Sequence, residues 1–426
     1  MRHRTDKGAS VRHGRLARRS SWLGAAKLLG ITAIVAVTSA TSIAAIAVGS
    51  LGSSVQTVRI GAAGKPSRTG ADALRGAVDF VVVGSDTRQG QTEATEGDPG
   101  TLNNDVTMLV HISADHQQMT AVSIPRDTVM ELPACVDTDS GQTRPAERAM
   151  FNEALARGGN QGGLRCVVAA VQSLTGVEAQ FAGILKFDGV AAMSTAVGGV
   201  DVCVATPIHD PYVGLDLEPG IHPIEGQTAS AFLRSRHGVG DGGDLGRISN
   251  QQVFLSALAR KVLAPGGALS NPVTLYKLAQ AALSNMILSD NLTSPDTMVS
   301  LALTLKGMDL SKVLFVQYPT LPNPADINRL IVDEQPAQAL NVALQTDAKT
   351  NLNDSALGGG ATKQSSDSTA PSKSTSAPSS TAPAAHESPS DGPATAAPST
   401  AATSTALPST ITGQTAAEAT CSKGSG

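Results

Sequence analysis

Arg234 and Arg236 stand two residues apart, so on an extended backbone their guanidinium groups project to one side. Glycines follow at 238, 240, 242 and 243, and Asp244 then takes the place of a helix N-cap. Arg247 and Gln251 share one face of the helix that starts there. Paired arginine forks, a loop whose backbone can approach a ligand and the unpaired N–H groups of a helix start suit a phosphate or a pyrophosphate. Upstream, three strand-like runs deliver Asp and Arg to their ends. Val78 to Gly84 runs out into Ser85-Asp86-Thr87-Arg88, Asp105 opens the run that reaches Ile112, and Ala121 to Ile124 ends in Pro125-Arg126-Asp127. Antiparallel neighbours would bring Asp86 and Asp105 together, and carboxylates that meet a substrate phosphate are a common way of holding Mg²⁺. Each piece alone has a plainer reading: arginines beside aspartates form surface ion-pair networks, and an aspartate after Gly-Ser caps a turn.

The elements that must position these residues alternate. Strands are expected at Val78 to Gly84, Met108 to Ile112, Ala121 to Ile124, Phe181 to Phe187, Gly198 to Val204 and Val313 to Tyr318. Helices are expected at Glu147 to Ala156, Leu164 to Leu174, Gln227 to Leu233, from Arg247 past Val262, Pro272 to Met286, Pro295 to Leu305 and Gln335 to Leu344. The alternation implies an α/β fold with a central mixed β-sheet covered by helices on both faces. Strand ends in such folds are where ligands bind. No Walker loop or dinucleotide fingerprint is present, and His111, His116, His209, His222 and His237 are too dispersed for a zinc site.

At 426 residues and a net charge of −4, the chain has room for more than one domain and no overall basic excess. Its positive charge is concentrated at the start, where Arg2, Arg4, Lys7, Arg12, Arg15, Arg18, Arg19 and Lys27 face only Asp6. An uncharged run follows, which argues for a cytoplasmic N-terminus and a single transmembrane helix rather than for nucleic acid. Small residues in that run leave a cleaved export signal as the alternative. The organisation expected is a basic cytoplasmic segment (1–27), a transmembrane helix (28–50), a linker (51–75), a catalytic domain (76–265), a helical and strand extension packed on it (266–350) and a disordered Ser/Thr/Ala/Pro tail (355–426). Four cysteines agree with export to an oxidising compartment. Cys135 and Cys166 are the first choice for a disulfide. Cys203 and Cys421 are left open, since closing a long loop costs little more than closing a short one. Truncation after Asp354 is expected to leave activity untouched.

With these segments assembled, the chain resembles the LytR-CpsA-Psr family of cell-wall ligases, of the actinobacterial type. The resemblance rests on Val83 to Arg88, Asn104 to Val110, Val122 to Asp127, Phe151 to Ala154, and Leu233 to Arg236 continued by Gly243 to Arg247 and Gln251-Gln252. It implies a membrane-anchored phosphotransferase that moves a glycopolymer from a polyprenyl-pyrophosphate carrier to peptidoglycan outside the membrane, with Mg²⁺. By the same resemblance Asp86 and Asp105 are metal-side carboxylates, and Arg88, Arg126, Arg234, Arg236 and Arg247 hold pyrophosphate with support from Asp244 and Gln251. Asp127 or a metal-side aspartate would serve as the base. Asn103 stands where the family often has an arginine. A pyrophosphatase and a non-catalytic polyprenyl-phosphate-binding module are the alternatives.

Overall fold

The run Val-Asp-Phe-Val-Val-Val-Gly-Ser at Val78–Ser85 is rich in β-branched and aromatic residues, and its burial alternates along the strand. It lies at the middle of the main sheet. A computed structural model describes residues 56–60, 74–85, 102–353, 357–364 and 405–425. The basic segment, the expected transmembrane helix at 28–50, and both Asp86 and Arg88 lie outside the described residues. Among the described residues no helix is long and apolar enough to cross a membrane.

Twelve strands matter here: β1 (Gln56–Val58), β2 (Val78–Ser85), β3 (Asn104–Ile112), β4 (Met119–Ile124), β5 (Phe181–Lys186), β6 (Val200–Val204), β7 (Gly220–Ile224), β8 (Met286–Ser289), β9 (Val313–Gln317), β10 (Ala361–Lys363), β11 (Gly413–Thr415) and β12 (Thr420–Ser422). The main sheet has eight of them, in the order β1-β8-β5-β2-β3-β4-β9-β11. It is mixed: β2 runs antiparallel to β3 and parallel to β5, and β4 runs antiparallel to β3 and parallel to β9. The helices used below are α1 (Gly159–Thr175), α2 (Phe187–Ala196), α3 (Gly226–Arg234), α4 (Asp244–Leu263), α5 (Pro272–Asn285), α6 (Pro295–Lys306) and α7 (Glu334–Gln345).

On one face of the sheet Val81, Val83, Leu109 and Val122 share a core with Val167 and Val171 of α1 and Leu340 and Leu344 of α7. On the other face Phe80 and Phe181 stack at 6.2 Å, and α2 and α5, which give nothing to that core, pack on β5. A smaller sheet, in the order β7-β6-β12-β10, builds a second core with Phe232 of α3 and Phe254 of α4. Cys135 and Cys166 are joined, as are Cys203 and Cys421.

Three expectations are corrected. The helix expected over Glu147 to Ala156 is a strand, Glu147–Met150, paired with Val129–Leu132 and followed by short 3-10 turns. Its cause is tertiary: the Asn104 amide donates to Phe151 O at 3.1 Å and accepts from Leu155 N at 3.0 Å, so side-chain bonds replace the helical ones. Residues 266–350 are not an extension laid on a finished domain, because they supply β8 and β9 to the main sheet. Nor is 355–426 a solvated tail throughout. Residues 405–425 bury Leu407, Ile411 and Cys421 and supply β11 and β12. The Ser/Thr/Ala/Pro composition of the long stretch masks this apolar end.

Candidate anion-binding site at the end of the main sheet

The register between β2 and β3 slips by one residue where the site begins. Gly84 lies opposite Val106, but Ser85 lies opposite Asn104, so Asp105 is the extra residue of a bulge. A bulge re-aims a side chain at the edge of regular pairing, and here the Asp105 carboxylate meets Nη1 of Arg126, just past the end of β4. Arg126 Nε is 3.4 Å from Asp127 Oδ1, while the second Asp127 oxygen accepts from Arg236 Nη2 at 3.2 Å. One buried carboxylate therefore holds two arginines from distant segments. Arg247, one turn into α4, donates to the Asp105 carbonyl at 2.8 Å and to Asp244 at 2.5 Å.

Asp244 does not cap its own helix. Gly243 is the N-cap, and the Asp244 carboxylate instead accepts from Arg126 N at 3.1 Å, tying α4 to the end of β4. Gln251 also has a different task from the one expected. Its amide donates to Leu233 O at 3.0 Å, and the Asn250 amide donates to Phe232 O at 2.6 Å. These side chains bind the last turn of α3 and so position Arg234 and the loop beyond it.

Sequence reasoning missed Asp210. This buried residue accepts the Ser235 hydroxyl at 2.8 Å, Arg236 N at 3.0 Å and Gly238 N at 3.1 Å through one oxygen, and Tyr212 N at 3.2 Å through the other. Those bonds hold its pKa below the ordinary carboxylate range against the upward push of burial. Its signal was a single aspartate inside an apparent turn, without a pattern to mark it.

Charges cluster tightly here. Burial by itself would lower the Arg126 pKa, yet Asp105, Asp127 and Asp244 raise it above its usual value, so it stays a cation. Burial pushes the Asp244 carboxyl up, and Asp127 adds to that, while Arg247 opposes it. The structure thus brings Asp105, Arg126, Asp127, Arg236, Asp244 and Arg247 into one network, and Arg234 is the last residue of α3, in helical and not extended backbone. Three arginines and three aspartates of the network cancel in formal charge. Arg247 Nε and Asn152 Oδ1 are buried without a hydrogen-bond partner among the described residues, the kind of exception that calls for an explanation such as an incoming ligand. Among the described residues no group of three or more His, Cys, Asp or Glu is placed to hold a metal. Asp105 does offer hard carboxylate oxygen, the donor Mg²⁺ takes alongside substrate phosphate.

Fold and site together define an α/β protein with a cluster of arginines and aspartates at the strand ends of a mixed sheet, the candidate anion site. The profile of the LytR_cpsA_psr family matches residues 52–349, and the chain belongs to that family. It is 30% identical over 269 residues to the cell wall biosynthesis protein LcpA of Corynebacterium glutamicum, covering 58% of this chain and 51% of that one. It is 27% identical over 213 residues to the biofilm regulatory protein A of Streptococcus mutans, covering 49% of this chain and 48% of that one. The chain thus spans about half the length of the curated relatives it matches. A crystal structure of a Streptococcus agalactiae protein shares the fold at 21% identity and a TM-score of 0.50, over 64% of this chain and 88% of that one.

Proposed function

We propose that this protein is a membrane-anchored phosphotransferase that attaches a cell-wall glycopolymer, carried on a polyprenyl pyrophosphate, to peptidoglycan. The observation that carries the reading is the convergence of arginines from three segments: Arg126 and Arg236 share Asp127, and Arg247 reaches the Asp105 carbonyl. Similarity to LcpA, named as a cell wall biosynthesis protein, supports the same process. In the reaction an acceptor hydroxyl of peptidoglycan attacks the phosphorus that bears the glycan. The P–O bond to the bridging oxygen breaks, polyprenyl phosphate leaves, and the hydroxyl proton passes to a carboxylate. Arg126, Arg236 and Arg247 would hold the charged oxygens in fixed forks, which is preorganised stabilisation of charge as it develops. Arg234 and Arg88 would add to that set. Asp127, with both oxygens engaged by arginine, orients the cations, and the candidates to take the proton are Asp127 and the metal-side aspartates.

Mg²⁺ belongs to this reading. Because the network is neutral in formal charge, a pyrophosphate brought there needs further cationic charge, and Asp105 with Asp86 would hold the ion that supplies it. The anchored, exported topology is supported by the basic start of the chain and by the two disulfides. Transfer from a lipid-linked glycan to a peptidoglycan oligomer, reconstituted with Mg²⁺, tests the reaction. A phosphodiester-linked product is expected. Free glycan phosphate as the sole product would mean a pyrophosphatase, and retention of lipid without turnover would mean a binding module.

A further inference from the structure

The loop that joins Arg236 to Asp244 holds four glycines, and chains of that composition lose the most backbone freedom when they order. In this structure it is held from two sides. Asp210 takes the N–H groups of Arg236 and Gly238. On the other side lies the far end of the chain, more than 180 residues downstream. There β12 sits between β6 and β10, with Cys421 opposite Cys203 and bonded to it. Just past β12, Lys423 O accepts Gly240 N at 2.9 Å, Gly424 pairs with Val239, and Ser425 N donates to Gly238 O at 3.0 Å. The Ser425 hydroxyl donates to His237 O at 2.8 Å. Four consecutive loop residues, 237 to 240, are thereby fixed by three consecutive residues of the terminal segment.

Local sequence makes this close approach possible. Gly240 has φ +58°, and a Cβ there would lie 3.0 Å from Gly246 Cα and 3.1 Å from Gly360 Cα. Glycine lets the loop pass between the first turn of α4 and Gly360, the residue before β10. The same segment also reaches the helix, since Ser422 Oγ lies 2.6 Å from Asn250 Oδ1, and Asn250 holds the end of α3.

We propose that residues 423–425 are a positioning element of the anion site, which orders the glycine loop before ligand arrives and so sets the affinity of Arg236 and the α4 N-terminus for phosphate groups. Only the identity of the ligand rests on the function proposed above. Ordering a loop in advance removes an entropic cost that binding would otherwise carry. A purely structural role would instead show up as lost stability, because β12 and its disulfide lie before the last three residues.

The test compares the full chain with a variant lacking residues 424–426, with Ser425→Pro, which removes the N–H bonded to Gly238, and with Ser425→Ala, which keeps it. Three readouts are taken: calorimetric binding of inorganic pyrophosphate with Mg²⁺, amide exchange over residues 237–243, and thermal unfolding. The truncated chain and Ser425→Pro should bind pyrophosphate about tenfold more weakly and exchange faster across the loop, with the unfolding temperature little changed. Ser425→Ala should stay within about twofold of the full chain. Unchanged loop exchange in the truncated chain would overturn the proposal, as would a large fall in unfolding temperature in place of a local effect. If the full chain binds no pyrophosphate, the proposed function fails, while the exchange data still decide whether the terminus orders the loop.

Discussion

The two ends of β3 both carry buried charge, and they are built differently. At its start Asp105 meets Arg126, and around them Asp127, Asp244, Arg236 and Arg247 arrive from two other elements and a glycine loop. Near its other end, His111 Nδ1 lies 2.8 Å from Asp79 and Nε2 lies 3.1 Å from Asp347, at the foot of α7. That second cluster is nearly closed, with the His111 side chain only 8% exposed, whereas Arg126 and Arg236 keep 25% and 36% of theirs open. Every polar nitrogen of the histidine is used, but at the first end Arg247 Nε is left without a partner among the described residues. A cluster of charges is therefore not itself a site. Exposed forks, an unmet donor, a glycine-rich loop and a helix start distinguish the end proposed to take an anion from the end that pins a helix to a strand.

Substitutions at the two ends should separate these roles. The largest effect is expected for Arg126→Ala, which should reduce turnover by about 10²–10³, the usual cost of removing one preorganised donor. Steady-state transfer rates on a variant shown to be folded would check it, and a loss of folding with normal specific activity would erase the contrast. Next is a chain ending at Asp354. Contrary to the expectation from composition, it should lose about 2–5 kcal/mol of stability with the Cys203–Cys421 bond and the strands β10, β11 and β12, measured by denaturant unfolding.

His111→Asn should act on stability alone. Burial would lower the His111 pKa, but Asp79 and Asp347 raise it above its ordinary value. A raised histidine stabilises the fold fully below its unfolded pKa and loses that contribution as pH rises through the folded value. The substitution should then cost about 1–3 kcal/mol near pH 6 and less in alkaline buffer, with turnover per folded molecule unchanged. A cost that grows with pH would contradict the charged pairing. The smallest effect is expected for Gln251→Ala, about 1 kcal/mol from the lost bond to Leu233 O, with a weaker hold on ligand through the displaced end of α3.

Much of this was legible in the chain. The β-branched runs at 78–84 and 121–124 and the helical stripe after Arg247 are strong local signals, and they became β2, β4 and α4. Asp105, Arg126, Asp127, Asp244 and Arg247 could be picked out because each lies at or beside the end of a recognisable element, and Arg236 because it stands two residues from Arg234. The features that stayed hidden depended on distant partners. Asn104 turns an expected helix into a strand and two tight turns through bonds made 47 and 51 residues away. Asp210 holds the arginine loop through the backbone of Arg236 and Gly238, and Asn250 holds the last turn of α3 through Phe232 O, for which periodicity gives no sign. The Cys203–Cys421 bond spans 218 residues, and only the packing of β12 beside β6 decides it. Asp244 fits a cap by position, yet the nearby main chain of Arg126 takes its carboxylate instead.

On the proposed function, the Asp105 end of β3 binds pyrophosphate and the His111 end does not. Calorimetric titration of pyrophosphate with Mg²⁺ into the wild-type chain, Arg126→Ala and His111→Asn measures this directly. The expected result is a loss of about tenfold or more in affinity for Arg126→Ala and wild-type affinity for His111→Asn. Equal binding by all three, or weakening by His111→Asn as large as that by Arg126→Ala, would contradict it.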